Sequence, residues 1–204
     1  MIEFPDPETA NADGLLAVGG NLEPQTLLAA YSQGIFPWYD EATPILWWAP
    51  DPRMVLFPGE FHCSRRLARR MRQPEWRCSW DEDFEAVILA CAEPRGDGGG
   101  TWLLPEMIEA YLSLHALGPA HSVEVWFDGE LAGGLYGVLH NGVFFAESMF
   151  HRRTDASKMA LAFLVGRAIT MSWKLIDCQF HTRHLQSLGA RAIPRRAFLQ
   201  LLRA

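Results

Sequence analysis

The segment 133–158 constrains the fold of this chain more than any other part of its sequence. It begins with an apolar strand at residues 135–139, turns at Asn141-Gly142 and returns as a second apolar strand. Asn-Gly is a strong signal for a two-residue hairpin turn. Asp155 then precedes an apolar segment that extends to about residue 170, and aspartate is a favoured N-cap residue. The segment therefore predicts a β-hairpin followed by a largely buried helix.

Glu147 is placed in the returning strand between two apolar pairs, Phe144-Phe145 and Met149-Phe150. Burying a carboxylate in such surroundings is unfavourable unless it has a hydrogen-bonding partner or a chemical role. Considered alone, a hydrogen-bonded carboxylate at a strand end is the commoner explanation, because structural pairs also perturb carboxylates. The other motifs of the chain favour a functional role for Glu147.

The hydrophobic patterns predict an α+β fold. Helices are expected at residues 81–91, 105–117 and 155–170, and strands at residues 121–126 and 174–179. Because the last strand follows a helix, it is expected to add one parallel pair to an antiparallel meander, which gives a mostly antiparallel mixed sheet. Asp177 and Gln179 share one face of that strand. They are either the solvent side of the strand or a functional pair.

Composition excludes several classes of protein. With 204 residues, 49% of them hydrophobic, the chain can form one domain with an appendage or two small domains. It has no apolar run of about 18 residues, and its N-terminus lacks the pattern of a signal peptide.

The four cysteines have no C-x-x-C spacing, which argues against a zinc site or a redox pair. Scattered free cysteines fit a reducing cytoplasm.

One basic segment contrasts with the net charge of −6, which argues against general nucleic-acid binding. Residues 62–77 are expected to be helical and contain five closely spaced arginines: Arg65, Arg66, Arg69, Arg70 and Arg72. Such a run is usually a solvated face, but like charges four residues apart destabilise a helix. A partner that carries phosphates is therefore a reasonable explanation.

The N-terminal residues 1–51 are predicted to form a small domain, joined at Asp51-Pro52-Arg53 to a main domain of residues 52–204. Trp38 follows Pro37 on an expected loop. There it either packs in the core or forms a wall of a ligand site, since ligand pockets are typically lined by aromatic residues.

A glycine-rich motif, Arg95-x-x-Gly98-x-Gly100, matches the pyrophosphate loop of acetyl-CoA-dependent acyltransferases. That loop should follow a strand and open a helix directly, so that backbone N–H groups face the phosphates. Here a helix precedes the motif, and Thr101-Trp102-Leu103-Leu104 separates it from Pro105, the expected start of the next helix. Coenzyme A is therefore not expected as a ligand.

Several short motifs spread along the chain together identify a family. They include Gly34-Ile35-Phe36-Pro37-Trp38, Trp47-Trp48-x-Pro50-Asp51-Pro52-Arg53, Thr101-Trp102, Glu147-Ser148-Met149-Phe150 and Ile176-Asp177-x-Gln179. In these motifs, and over nearly its whole length, the chain resembles the bacterial leucyl/phenylalanyl-tRNA–protein transferases. Two departures are visible. Ala146 stands where the family usually has glycine, and the sequence ends at Ala204 without the longer tail of some members.

The resemblance implies a small N-terminal domain joined to a GNAT-like acyltransferase domain. It implies transfer of Leu or Phe, and less readily Met, from aminoacyl-tRNA to a protein that begins with Arg or Lys. The product carries an N-degron and is marked for degradation. The catalytic cleft would contain Trp38, Trp102, Tyr111, Glu147, Asp177 and Gln179. The pocket for the transferred side chain would be lined by Leu135, Phe144, Leu164 and Ile176, and the five arginines would contact the tRNA.

The chemistry of that reaction suits these residues. Turning a tRNA ester into an amide is downhill and needs no cofactor, metal or ATP. The attacking α-amine has a pKa of about 7.7–8, so a useful fraction is neutral. The enzyme must mainly position it and stabilise the oxyanion, for which Asp177, as a base or an anchor, and Gln179 are suitable. Two alternatives stay open. One is a GNAT-like enzyme that uses acyl-CoA or adds amino acids to cell-wall peptides, and the other is a non-catalytic tRNA-binding module.

Overall fold

The computed structural model describes residues 3–94 and 103–204. The strands are β1 (Leu15–Val18), β2 (Phe36–Pro37), β3 (Leu46–Trp48), β4 (Arg53–Leu56), β5 (Trp76–Trp80), β6 (Ala120–Phe127), β7 (Glu130–His140), β8 (Val143–His151), β9 (Leu175–Gln179) and β10 (Arg191–Ile193). The helices are α1 (Pro24–Tyr31), α2 (Arg65–Arg70), α3 (Phe84–Ala92), α4 (Pro105–Leu117), α5 (Ala156–Thr170), α6 (Arg183–Ser187) and α7 (Arg195–Arg203).

The strands form two sheets. The smaller sheet has the order β1-β3-β2, and the larger one has the order β10-β4-β9-β8-β7-β6-β5. Within the described ranges, β8 and β9 pair in parallel, and every other pair in the larger sheet is antiparallel. The predicted α+β class with a mostly antiparallel mixed sheet is therefore confirmed.

The hairpin of β7 and β8 has the predicted turn. Asn141 and Gly142 both have positive φ, 47° and 74°, as a type I′ turn requires, and His140 pairs with Val143 across it. The following helix, α5, buries most of its apolar residues, as expected. Asp155 occupies the predicted N-cap position, although not in the usual N-cap geometry. Its backbone is left-handed (φ 72°) and its side chain makes no capping hydrogen bond.

The pattern of the basic segment 62–77 predicted one helix, and this prediction is wrong. Helix α2 covers only Arg65–Arg70, capped by Ser64, whose side chain accepts a hydrogen bond from the Leu67 N–H at 3.2 Å. The chain leaves the helix at Met71, and Trp76–Trp80 forms strand β5, paired with β6 along its whole length. Strand pairing with a segment some fifty residues later overrides the weak local helical pattern.

The two sheets share one apolar core. Buried residues of α1 and β3, such as Leu27 and Trp47, belong to the same cluster as residues of α4, β8 and α7, such as Tyr111, Phe145 and Phe198. A second apolar cluster lies between the larger sheet and α5. The smaller sheet lies wholly before residue 52 and the larger one after it, but because they share a core, the division into domains at residue 51 stays a prediction. In the described part of the chain, no helix has the length and apolarity needed to cross a membrane.

Candidate active site

The candidate site is at the point where β8 and β9 separate. Their parallel pairing ends with Phe145 opposite Asp177, while β8 continues to His151. On the other side of β8, Gly137 of β7 pairs with Ala146 and Tyr136 pairs with Ser148. Glu147 is therefore the extra residue of a β-bulge, a feature that occurs next to active sites because it re-aims a side chain.

Gln179 bridges the gap between the two strands. Its side-chain Nε2 donates a hydrogen bond to Glu147 Oε1 at 3.2 Å. Its backbone has a left-handed φ of 55°, which is uncommon for a residue other than glycine and is found disproportionately at functional sites. Asp177 and Gln179 are 0% and 8% exposed. The alternative that they form the solvent side of a strand is wrong, because both residues are buried.

Glu147 is held by an aromatic partner as well. Tyr111 Oη donates to Glu147 Oε2 at 3.2 Å, and the Tyr31 and Tyr111 hydroxyls lie 2.6 Å apart. Both tyrosines are fully buried. The pKa of Glu147 is raised to about 8, chiefly by burial and also by the nearby Asp177 carboxylate, while hydrogen bonds from the tyrosines and the charge of Arg53 act in the opposite direction. At neutral pH this carboxyl is therefore largely protonated in the free protein.

Asp177 forms a buried ion pair with Arg53, the first residue of β4. Arg53 Nε and Nη2 donate to the two carboxylate oxygens at 2.8 and 2.6 Å. Asp177 Oδ1 also accepts the backbone N–H of Gln179 at 3.0 Å. Since both oxygens are engaged, this geometry favours an anchoring role for Asp177 over that of a base.

Trp38 lies at the edge of this polar group. Its ring contacts those of Trp48 and Phe180, with centroids 5.7 and 5.4 Å apart, and 42% of Trp38 is exposed. Phe180 directly follows Gln179, so Trp38 presents an open aromatic face beside the site. Trp102 lies outside the described residues, as does the glycine-rich motif at residues 95–100.

The four residues predicted for the side-chain pocket lie together in one cluster. Leu135, Phe144, Leu164 and Ile176 are all fully buried in the apolar layer between the sheet and α5. Phe144 is adjacent to Phe145 along β8, and Ile176 precedes Asp177 on β9. Because neighbouring residues of a strand point to opposite faces, this cluster is on the opposite face of the sheet from Asp177.

A cavity of about 720 Å³ opens at the end of β8. Its lining includes Met149 of β8, Ser157 and Lys158 of α5, and His184 of α6. Met149 also packs against the apolar cluster between the sheet and α5. The cavity is thus close to both the predicted side-chain pocket and the bulge at Glu147.

The five arginines divide into two groups. Arg66 and Arg70 contact the buried carboxylate of Asp155, at 3.5 and 2.7 Å, and Lys158 contacts it at 3.0 Å. These cations hold the pKa of Asp155 below its usual value, against the opposing effect of burial. Arg65, Arg69 and Arg72 are exposed. Repulsion within the run is therefore partly relieved inside the protein, at Arg66 and Arg70, and contact of the five arginines with tRNA stays a prediction.

Two residues of the site were missed by sequence reasoning. Tyr31 is assigned no role from the sequence, and Arg53 is placed only at the joint between domains. A signal for Arg53 was present, because a charged residue directly before the apolar run Met54-Val55-Leu56 needs a buried partner. Tyr31 carries no such signal. Among residues 3–94 and 103–204, no group of His, Cys, Asp and Glu is arranged to hold a metal ion.

Comparison with known proteins decides the family. A family model described as leucyl/phenylalanyl-tRNA protein transferase matches residues 55–203, and one described as the N-terminal domain of that protein matches residues 20–51. The chain belongs to the leucyl/phenylalanyl-tRNA–protein transferase family. The predicted identification, and with it the assignment to the aminoacyltransferases, is confirmed at the level of the family.

Individual family members are similar along almost the whole chain. The leucyl/phenylalanyl-tRNA–protein transferase of Stutzerimonas stutzeri (strain A1501) is 54% identical over 203 residues, which cover 98% of this chain and 90% of that protein. Those of Desulfatibacillum aliphaticivorans and Aromatoleum aromaticum are 55% and 56% identical, covering 98% and 96% of this chain and 86% and 84% of the relatives.

The solved structures are less similar to this chain than the family members are. A GCN5-related N-acetyltransferase from Kribbella flavida has a TM-score of 0.45 at 16% identity, covering 80% of this chain and 58% of that one. L-PGS from Bacillus licheniformis has a TM-score of 0.45 at 10% identity, covering 89% and 62%. With TM-scores below 0.5, these likenesses carry no argument about this chain.

Proposed function

We propose that this chain transfers Leu or Phe, and less readily Met, from aminoacyl-tRNA to the α-amine of a protein that begins with Arg or Lys. The product carries an N-degron that directs its degradation, and the reaction is expected in the cytoplasm. The observation that carries the proposal is the hydrogen-bonded group of Tyr111, Glu147 and Gln179, fixed by Asp177, in a chain of this family.

The reaction forms one bond and breaks one. The amine nitrogen of the acceptor attacks the ester carbonyl carbon, and the bond from that carbon to the ribose oxygen of the tRNA breaks. The amine loses a proton and the ribose oxygen gains one. Gln179 Nε2 gives one hydrogen to Glu147. We assign its second hydrogen and its Oε1 to the carbonyl oxygen and the amine of the substrates, and Asp177 to anchoring Gln179.

Glu147 is assigned to the basic side chain of the acceptor. A half-buried carboxyl with a pKa of about 8 releases its proton when a guanidinium or ammonium group binds beside it, because a nearby cation favours the ionised form. The resulting charge-assisted hydrogen bond contributes about 1.5–3 kcal/mol. A neutral acceptor side chain forgoes this contribution, which would produce the preference for Arg and Lys.

The donor is assigned to the opposite face of the sheet and the cavity beside it. Leu135, Phe144, Leu164 and Ile176 form an apolar cluster that would admit side chains unbranched at Cβ. Shape discrimination of this kind amounts to about 1–3 kcal/mol per methylene, so use of Met is expected. The adjoining cavity of about 720 Å³ is within the range of ligand pockets, about 300–1,000 Å³. It has room for the terminal nucleotide of the tRNA.

The basic surface of α2 is assigned to the tRNA backbone. Arg65, Arg69 and Arg72 are exposed and would contact phosphates without reading bases. Arg66 and Arg70 are held by Asp155. They would add to the positive electrostatic potential that attracts and orients the tRNA. The N-terminal residues 1–51, the proposed small domain, would contribute Tyr31 and Trp38 to the site.

The decisive assay uses tRNA charged with radiolabelled Phe and a peptide that begins with Arg. Label is expected in the Arg peptide and not in a matched peptide that begins with Ala. Binding of tRNA without transfer would instead identify a non-catalytic binding module. Transfer of labelled acetyl from acetyl-CoA, with no transfer from Phe-tRNA, would identify a GNAT-type acyl-CoA enzyme.

A matched pair of variants tests the acceptor role. Glu147→Gln is expected to reduce transfer to the Arg peptide, while Glu109→Gln, an exposed glutamate on α4, leaves it unchanged. If Glu147→Gln keeps the wild-type rate and the same preference for Arg over Ala, Glu147 does not select the acceptor.

A further inference from the structure

Arg53 is a fully buried charged group beside the site. It begins β4, which lies between β10 and β9 in the larger sheet, and its exposure is 0%. Burying a guanidinium is unfavourable unless it is paired and hydrogen-bonded. Its surroundings therefore determine its role.

The guanidinium is held by one carboxylate and two aromatic rings. Two of its N–H groups bind the two oxygens of Asp177 at 2.8 and 2.6 Å, which is the bidentate arrangement that gives such pairs their directional specificity. The rings of Phe36 and Phe198 cover its faces, at 4.7 and 4.6 Å from the guanidinium carbon. Phe36 belongs to the smaller sheet and Phe198 to α7, so three parts of the fold meet at this side chain.

The ion pair is connected to Glu147 through Gln179, whose backbone and side chain each make one hydrogen bond. Asp177 Oδ1 accepts the backbone N–H of Gln179 at 3.0 Å, and Gln179 has the left-handed φ of 55° that directs its side chain. Gln179 Nε2 then reaches Glu147 at 3.2 Å. Rotation of the Asp177 carboxylate would remove the contact that holds Gln179 in this unusual backbone conformation.

We propose that Arg53 is a positioning residue of the transfer reaction. It locks the Asp177 carboxylate so that this group fixes the backbone of Gln179 and aims its amide at the substrates. Arg53 itself touches neither donor nor acceptor. The proposal rests on the proposed function, and it adds a residue that acts through Asp177.

The first test is Arg53→Lys, which keeps the charge but replaces the planar two-point contact with a single ammonium group. Single-turnover transfer of labelled Phe to the Arg peptide is measured with enzyme in excess, and the rate is expressed per folded molecule counted by Phe-tRNA binding. The expected result is a loss of about 10- to 100-fold in the transfer rate, the scale for a misplaced catalytic group, with the Kd for Phe-tRNA changed less than about twofold.

A matched control is Arg191→Lys. Arg191 on β10 also makes a two-point contact with a carboxylate, Glu60, at 2.8 and 3.4 Å, and it also covers an aromatic ring, that of Phe57. It is exposed, and β4 lies between its strand and β9, which carries Gln179. Its replacement is expected to leave both the rate and the Kd unchanged.

A second test separates action through Asp177 from a purely structural role. The rates of Arg53→Met, Asp177→Asn and the double variant are compared, because coupled residues are non-additive. The transfer rate of the double variant is expected to lie within about threefold of the rate of Asp177→Asn alone. The double variant leaves no buried charge unpaired, so it remains measurable even if Arg53→Met does not fold.

Three results would overturn the inference. They are a wild-type transfer rate per folded molecule in Arg53→Lys, an equal loss in Arg191→Lys, and full additivity of the two changes. Absence of transfer by the wild-type protein refutes the proposed function instead, so the two failures are distinguishable.

Discussion

Replacing Glu147 by Gln should make the protein more stable, increasingly so as the pH rises. The wild-type carboxyl has a pKa of about 8 when folded, against 4.5 as its ordinary value. Between these values the folded state binds a proton that the unfolded state has released, so raising the pH favours unfolding. Gln cannot ionise, and the variant lacks this contribution. In the Glu147→Gln variant, Tyr111 can still donate a hydrogen bond to the oxygen of the new side-chain amide. The side-chain amide of Gln179 can rotate so that its oxygen accepts a hydrogen bond from the nitrogen of the new amide.

The size of the effect follows from the pKa difference. Each unit corresponds to about 1.4 kcal/mol, so a rise from 4.5 to about 8 amounts to roughly 5 kcal/mol in total. Over the accessible range from pH 5 to pH 8, the difference in unfolding free energy between variant and wild type should grow by about 3.5 kcal/mol. Above about pH 8 it should level off.

Urea unfolding of both proteins at four pH values between 5 and 8 measures this difference, and groups common to both cancel. Glu109→Gln, which removes an exposed carboxyl, is the control and should show a difference that does not change with pH. A flat profile for Glu147→Gln would mean that the carboxyl is solvated. A difference that shrinks with pH would mean that the site stabilises the carboxylate, and the reasoning from burial would be refuted.

Three further predictions concern donor, tRNA and chemistry. Gln179→Ala should slow single-turnover transfer by about 10²–10³-fold, the scale for losing one positioned polar group, with Phe-tRNA affinity nearly unchanged; loss of affinity alone would contradict this. Replacing Arg65 and Arg69 by Ala should weaken tRNA binding and reduce its salt slope by about one unit per lost phosphate contact, whereas Arg196→Ala on α7 should not; an unchanged slope would exclude this surface. Leu135→Trp should impair transfer of Phe more than of Leu, measured with the two charged tRNAs, because the larger substrate is excluded first; equal losses would indicate a folding defect.

Local signals in the sequence were enough for the central hairpin and the helix after it. Asn141-Gly142 can adopt the positive φ values that the turn requires, and period-2 and helical patterns report burial on one face directly. Motifs distributed along the chain were likewise enough for the family, and they pointed to Glu147, Asp177 and Gln179. Each of these signals is contained within a few neighbouring residues.

Only the tertiary structure decided which side chains meet. Arg53 and Asp177 are separated by 124 positions, and Arg70 and Asp155 by 85. No local pattern shows that Asp177 pairs with a guanidinium on a neighbouring strand. Nor does one show that Asp155 neutralises part of the charge of the basic helix α2. Residues 76–80 similarly form a strand because they pair with β6. Spacing along the chain determines which face a residue occupies, whereas pairing between distant segments determines its partners, and those partners set the charge and orientation of the site.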